Sequence, residues 1–196
     1  GANLAVTQLG RIEFAENGGH LNTDFVDNSG GVNSSDLEVN IKILMTDVMR
    51  SKEHKMDMKA RNKLLEKMTD DVAELVLRNN YQQAQAISLA ELQAKDNIQL
   101  QADFIKDLEK EQGLNRVLEG LPDEEKIEQR MRNGKGLTRV ELAVLVSYAK
   151  ITFTKDLLKS DIPEDPDMED WIINYFPDDL RKKYTKEIKR HKLARE

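Results

Sequence analysis

The chain has 196 residues, of which 34% are charged, 39% hydrophobic and 5% aromatic, with a formal charge of −6 and no cysteine. Without cysteine it can form neither disulfides nor thiolate zinc sites, which fits a reducing compartment, and the acidic total argues against a broad nucleic-acid footprint. The length allows one ordinary domain, or one plus a remnant, and so charged and aromatic-poor a composition favours surface-rich helices over a β-sandwich.

Thr7 to Asn17 reads as a helix carrying Leu9, Ile12 and Phe14 or Ala15, stopped by Asn17-Gly18-Gly19. His20 to Val26 is the one strand-like run. A lone strand cannot satisfy its own backbone groups, so this piece expects a sheet that the chain does not contain. Next comes Asp27-Asn28-Ser29-Gly30-Gly31-Val32-Asn33-Ser34-Ser35-Asp36, with paired glycines and five small polar side chains. Ser35 is followed three residues later by Glu38, a capping box. The stretch therefore reads as a turn that empties into a helix N-terminus, where free N–H groups and the helix dipole favour an anion. Taken by itself, such a turn reads first as a plain connector.

From Ser34 onward the period is helical, with Leu37, Ile41, Leu44, Met45 and Val48 on one face. Asp57 is expected to cap a second helix carrying Leu64, Leu65, Met68, Val72, Leu75 and Val76, broken by Asn79-Asn80. A third, long helix is expected from Tyr81 to Gln112, stopping at Gly113, with a thin stripe of Ile87, Ala94, Ile98, Ile105 and Leu108. Pro122 opens a short acidic helix that ends at Asn133-Gly134-Lys135-Gly136. Thr138 and Glu141 form a second capping box before a helix that is apolar nearly all round. Ser160 to Asp167 reads as a loop, Trp171, Ile172, Tyr175 and Phe176 as a bulky anchor, and Pro177 as the start of a last helix with Leu180, Tyr184 and Ile188. The basic tail from Arg181 to Arg195 reads as a solvated helix face. No stretch approaches the roughly 18 apolar residues of a membrane span, and the N-terminus has no signal-peptide pattern, so a cytoplasmic protein with neither membrane nor nucleic-acid partner is expected.

Few residues point to chemistry. His20, His54 and His191 are far apart and lack paired metal-ligand spacing. The carboxylates sit on charged helix faces, with no pair standing out as an acid/base couple. There is no GxGxxG, GxxxxGK[ST] or GxSxG. The methionines fall mostly at apolar helical positions and read as core.

One resemblance gives the polar turn a function. Asn28-Ser29-Gly30-Gly31-Val32-Asn33-Ser34-Ser35 is similar to the asparagine-alanine-glycine-glycine-valine-x-x-serine run of glutamate dehydrogenases. Gly1-Ala2-Asn3 resembles the glycine-alanine-asparagine that precedes it in those enzymes. The wider wording, from Gly1-Ala2-Asn3-Leu4 to Asn40-Ile41-Lys42-Ile43, most resembles the large bacterial NAD-specific members, and the likeness runs on through Leu142-Ala143-Val144-Leu145 and Tyr175-Phe176-Pro177.

The resemblance implies a C-terminal part of an enzyme that oxidises L-glutamate to 2-oxoglutarate and ammonia with NAD, acting as a homo-oligomer. It implies a mainly α fold: residues 1–33 as an α/β tail of the dinucleotide-binding (Rossmann-like) domain and residues 34–196 as a helical domain. It places Asn3 near the nicotinamide, gives Asn28 the task of orienting the nicotinamide or its ribose, and sets Ser35 against the side-chain carboxylate of glutamate. An amide offers donors and acceptors to a carboxamide or ribose, and a hydroxyl at a helix N-terminus suits a carboxylate. Ser35 is also readable as a plain N-cap. Asp36 departs from the smaller enzymes and would repel a carboxylate unless it caps the helix or points away. The family's catalytic lysine and aspartate and its phosphate-binding glycines have no match here, so the chain alone is expected to be inactive, and its start at Gly1 with the motif already under way suggests a longer parent. The competing expectation is a helical scaffold without an active site.

Overall fold

A computed structural model describes residues 6–193. Local chemistry sets several helix ends. Thr7 accepts a hydrogen bond from the Gly10 amide and starts α1 (Gln8–Glu16), which Asn17 closes, with Gly18 in the left-handed region beyond it. After α2 (Asp24–Asp27) comes α3 (Ser29–Arg50). Asp57 caps α4 (Met58–Lys67) by accepting from Ala60 N–H at 2.7 Å, as expected. Then follow α5 (Thr69–Leu92) and α6 (Ile98–Gln112), the latter stopped by Gly113 at φ 67°. Asp123 caps α7 (Glu124–Arg132), and the Thr138–Glu141 box forms in full before α8 (Arg139–Lys159). Two 3₁₀ turns, Ile162–Glu164 and Pro166–Met168, occupy the expected loop before α9 (Glu169–Tyr175) and α10 (Asp178–Ile188).

The mainly helical expectation holds, but no strand forms among the described residues. His20–Val26, expected as a strand, is irregular to Thr23 and then enters α2. With no second strand to share backbone hydrogen bonds, an extended ladder has nothing to form on. Other boundaries also moved. Asn79-Asn80 does not break α5; Asn80 Nδ2 instead donates back to the Val76 carbonyl at 2.7 Å. The chain breaks at Met68, which closes α4, and again at residues 93–97. The expected single helix from Tyr81 to Gln112 is therefore two, although its stripe of Ile87, Ala94, Ile98, Ile105 and Leu108 is buried throughout.

The chain divides into two compact units. One holds the residues up to Ser29 with Tyr81–Thr154, the other Gly30–Asn80 with the residues from Lys155 on. The first unit centres on Ile105, Leu108, Leu121, Leu137, Leu142 and Val144. Here α8 is buried all round from Arg139 to Leu145, as its pattern predicts, but Ile151 and Phe153 farther along are exposed. The second unit packs Leu44, Met45 and Val48 of α3 and Met68 against Phe176, Leu180 and Ile188. Phe176 is the anchor there, whereas Trp171, expected to share that role, is 77% exposed. No described helix is long and apolar enough to cross a membrane.

Candidate functional site

The segment that leads into the polar turn is held by two arginines of the first unit. Arg11, almost wholly buried on α1, donates to the Asn22 carbonyl at 2.8 Å, to Asp27 Oδ2 at 2.9 Å and to Asp24 Oδ1 at 3.1 Å. Arg139 donates to Asn22 Oδ1 at 2.8 Å and to Glu91 Oε2 at 2.9 Å. Charge-assisted bonds of this kind are among the strong ones, so residues 22–27 are held from both sides. Sequence reasoning missed Arg11, because nothing at position 11 announces partners 11 to 16 residues away. Thr23 is wholly buried, and its Oγ1 has no hydrogen-bond partner among the described residues.

Asn28 follows directly. It closes α2 with φ −88° and ψ 0°, its amide N–H donating to the Asp24 carbonyl at 3.1 Å. Its side chain is exposed and makes no hydrogen bond to a described residue. Ser29 then turns inward, its hydroxyl donating to the Val26 carbonyl at 2.8 Å.

The helix begins at Ser29, not at Ser35. The expected Ser35–Glu38 capping box is therefore absent, and Glu38 instead pairs with Lys42 at 2.5 Å. Gly30 and Gly31 lie inside α3, although each glycine costs about 1 kcal/mol relative to alanine there. Burial of Leu37, Leu44 and Val48 farther along the same helix outweighs that cost. The helix end that favours an anion thus stands at Asn28, about 10 Å along the axis from Ser35.

Ser35 is left on an exposed face. Its neighbour Ser34 donates back to the Gly30 carbonyl at 2.8 Å, while Ser35 makes no hydrogen bond to a described residue. Asp36 does not stand free. The Tyr175 hydroxyl donates to its Oδ2 at 2.5 Å, and Asn40 Nδ2 donates to Oδ1 at 3.3 Å. Burial, together with the Asp36 carboxylate, pushes the Tyr175 phenol well above its usual range. Asn3 lies outside the described residues.

The comparisons with known proteins decide the family. Residues 1–90 match the model of the bacterial NAD-glutamate dehydrogenase catalytic domain, and residues 134–196 match that of the glutamate dehydrogenase C-terminal region. The whole chain aligns with curated NAD-specific glutamate dehydrogenases: it is 48% identical to that of Pseudomonas aeruginosa, 46% to that of Halomonas elongata and 43% to that of Mycobacterium tuberculosis. The chain belongs to the bacterial NAD-specific glutamate dehydrogenases. It spans 12% of the length of each of these relatives. Both Asn28 and Ser35 fall inside the stretch that matches the dehydrogenase catalytic domain.

Another cluster of polar groups lies in the second unit. Glu53, His54 and Glu187 bring one ligand atom each within 4.8 Å of one another. His54 Nε2 already sits 2.7 Å from Glu187, and Lys186 is 3.3 Å from Glu53. Burial pushes the Glu187 carboxyl up, but the His54 contact, a backbone hydrogen bond and the nearby Lys186 together hold the group below its usual range. The polar groups of the cluster are already engaged with one another and with Lys186.

Proposed function

We propose that this chain is the C-terminal part of an enzyme that oxidises L-glutamate to 2-oxoglutarate and ammonia while passing hydride to NAD. In this reading Asn28, with Asn3, contacts the nicotinamide end of the cofactor, and Ser35 contacts the side-chain carboxylate of glutamate. Residues 1–33 are the tail of the dinucleotide-binding (Rossmann-like) domain, and residues 34–196 form the helical domain of a homo-oligomeric enzyme. The observation that carries the reading is the match of residues 1–90 to the catalytic-domain model, which spans the motif holding both polar side chains.

The geometry supports it at two points. The Asn28 amide and the Ser35 hydroxyl are exposed and unspent on internal hydrogen bonds, so both can bond a ligand at no cost to the fold. The loss of the expected cap removes the plain structural account of Ser35. The neighbouring acid does not defeat the reading either, because Asp36 is engaged by Tyr175.

The test is steady-state kinetics of the full-length enzyme. Asn28→Ala is expected to raise the KM for NAD about tenfold or more with a smaller change for glutamate, the loss of one hydrogen bond to a polar ligand group. Ser35→Ala is expected to raise the KM for glutamate and leave that for NAD within about twofold. If both substitutions leave both constants unchanged, these roles are wrong and the competing scaffold reading gains.

A further inference from the structure

In the second unit, the carboxylate that follows Ser35 in the chain is tethered from far along the sequence. The Tyr175 hydroxyl, 139 residues on, donates to Asp36 Oδ2 at 2.5 Å, and Asn40 Nδ2, one turn along α3, donates to Oδ1 at 3.3 Å. Asn40 Nδ2 also donates to the Tyr175 oxygen at 3.1 Å, so the three side chains close a ring of hydrogen bonds. The two holders are fixed in turn. Tyr175 is the last residue of α9, and its ring meets that of buried Phe176 edge-on at 5.2 Å. The Asn40 carbonyl stands 3.1 Å from Nε2 of His191, which is buried.

Solvation does not call for this ring. Asp36 is exposed, and water would satisfy its oxygens without help from the fold. What the ring fixes is the place of a charge. A side chain on a helix leans back over the turn before its own Cα, which for Asp36 is the turn at Val32 and Asn33. The partial positive charge at the start of α3 pulls a carboxylate the same way. Ser35, one residue back and also exposed, borders that turn. The two hydrogen bonds of the carboxylate run elsewhere, to Asn40 one turn on and to Tyr175 on α9.

Resting on the role proposed for Ser35, we infer that Tyr175 and Asn40 are positioning residues, which keep the Asp36 carboxylate from swinging beside Ser35 and competing there with the side-chain carboxylate of glutamate. A loose carboxylate on the same helix is a permanent internal rival, and two like charges a few ångströms apart repel even in water. The restraint leaves the Ser35 hydroxyl open to an incoming anion. Neither Tyr175 nor Asn40 touches substrate in this scheme; both act through Asp36. Asp36 falls in the part that matches the catalytic domain and Tyr175 in the part that matches the C-terminal region, so the helical part takes a share in selecting the substrate.

The experiment is steady-state kinetics of the full-length enzyme. Tyr175→Phe frees Asp36 and is expected to raise the KM for glutamate about threefold or more, with kcat and the KM for NAD within about twofold of the parent. In an Asp36→Asn background the same Tyr175→Phe change is expected to leave the KM for glutamate within about twofold, because no charge remains to be released. Loss of packing at Tyr175 would act alike in both backgrounds. An unchanged KM in Tyr175→Phe, or an equal rise with and without Asp36→Asn, overturns the inference. Ser35→Ala keeps the two claims apart. A raised KM for glutamate there beside an unchanged Tyr175→Phe overturns only the restraint on Asp36. An unchanged Ser35→Ala, beside a rise in Tyr175→Phe that Asp36→Asn abolishes, overturns only the Ser35 contact and upholds the restraint.

Discussion

Arg130 holds the carboxylate of Glu141 by two hydrogen bonds, at 2.7 and 3.0 Å, and Glu141 has no exposed surface. The same carboxylate accepts from the Thr138 N–H at 2.7 Å and the Thr138 hydroxyl at 2.8 Å. Arg130 has a second partner, Glu16 at 2.7 Å, so the capping box of α8, the end of α7 and the end of α1 are joined through one guanidinium. Breaking a buried pair by removing one partner costs more than removing both, because it leaves a buried charge unmatched. Glu141→Leu is therefore expected to destabilise the protein by about 3–5 kcal/mol. The double variant Arg130→Met with Glu141→Leu is expected to recover part of that loss. Urea unfolding of the parent, the two single variants and the double variant checks it; a double variant as unstable as the sum of its parts would mean that the pair acts through packing alone.

Thr138→Ala removes the hydroxyl that the Glu141 amide meets at 3.3 Å. The backbone N–H of residue 138 keeps its bond to Glu141, so half of the box survives. The expected cost is about 1 kcal/mol, the ordinary value of an N-cap, and Thr138→Ser is expected to restore most of it. The same unfolding measurement reads both.

The helix ends that could be read from sequence are those made by neighbours in sequence. Thr7, Asp57, Asp123 and Thr138 each accept a hydrogen bond from an amide three residues on. Gly113 stops its helix with a positive φ. The ends that escaped are set by distant residues or by the cost of packing. Burial on α3 carries its start back through two glycines to Ser29, where a cap at Ser35 looks adequate by local rules. The break near Ala94 lies where Gly136, more than forty residues away, packs closely against its backbone. The candidate site divides in the same way: Asn28 and Ser35 stand out only by resemblance to a family motif, while the arginines that hold the turn, Arg11 and Arg139, carry no local signature.

Gly136 makes the closest of these distant contacts. A Cβ at this position would lie 2.5 Å from the Ala94 carbonyl carbon and 2.6 Å from its Cβ, and backbone cannot swing aside as a long side chain can. Gly136→Ala is therefore expected to cost about 1–3 kcal/mol through overpacking. Lys135→Ala next to it, at an exposed position, is expected to stay within about 0.5 kcal/mol of the parent. Thermal unfolding of the two variants makes the comparison; equal midpoints would show that the segment at residue 94 yields.

Tyr175 and Asp36 supply the pH dependence. Burial comes first in raising the phenol, and the hydrogen bond and charge of Asp36 add to it, against a smaller opposing effect of Asn40. The folded state thus favours the protonated phenol more than the unfolded chain does, for which the usual value is 10.0. The stability tied to this group is fully present below that value and is lost as pH rises toward the higher folded value. Tyr175→Phe removes the group, with an expected cost of about 1 kcal/mol at neutral pH for one hydrogen bond to a partly exposed carboxylate. The difference between parent and variant is expected to stay constant up to about pH 10 and to shrink above it. Tyr148 and Tyr184 are also raised, but they titrate in both proteins and cancel in the difference. Urea unfolding at a series of pH values follows the gap; one that widened above pH 10 would mean that the phenolate, not the phenol, is the form the fold prefers.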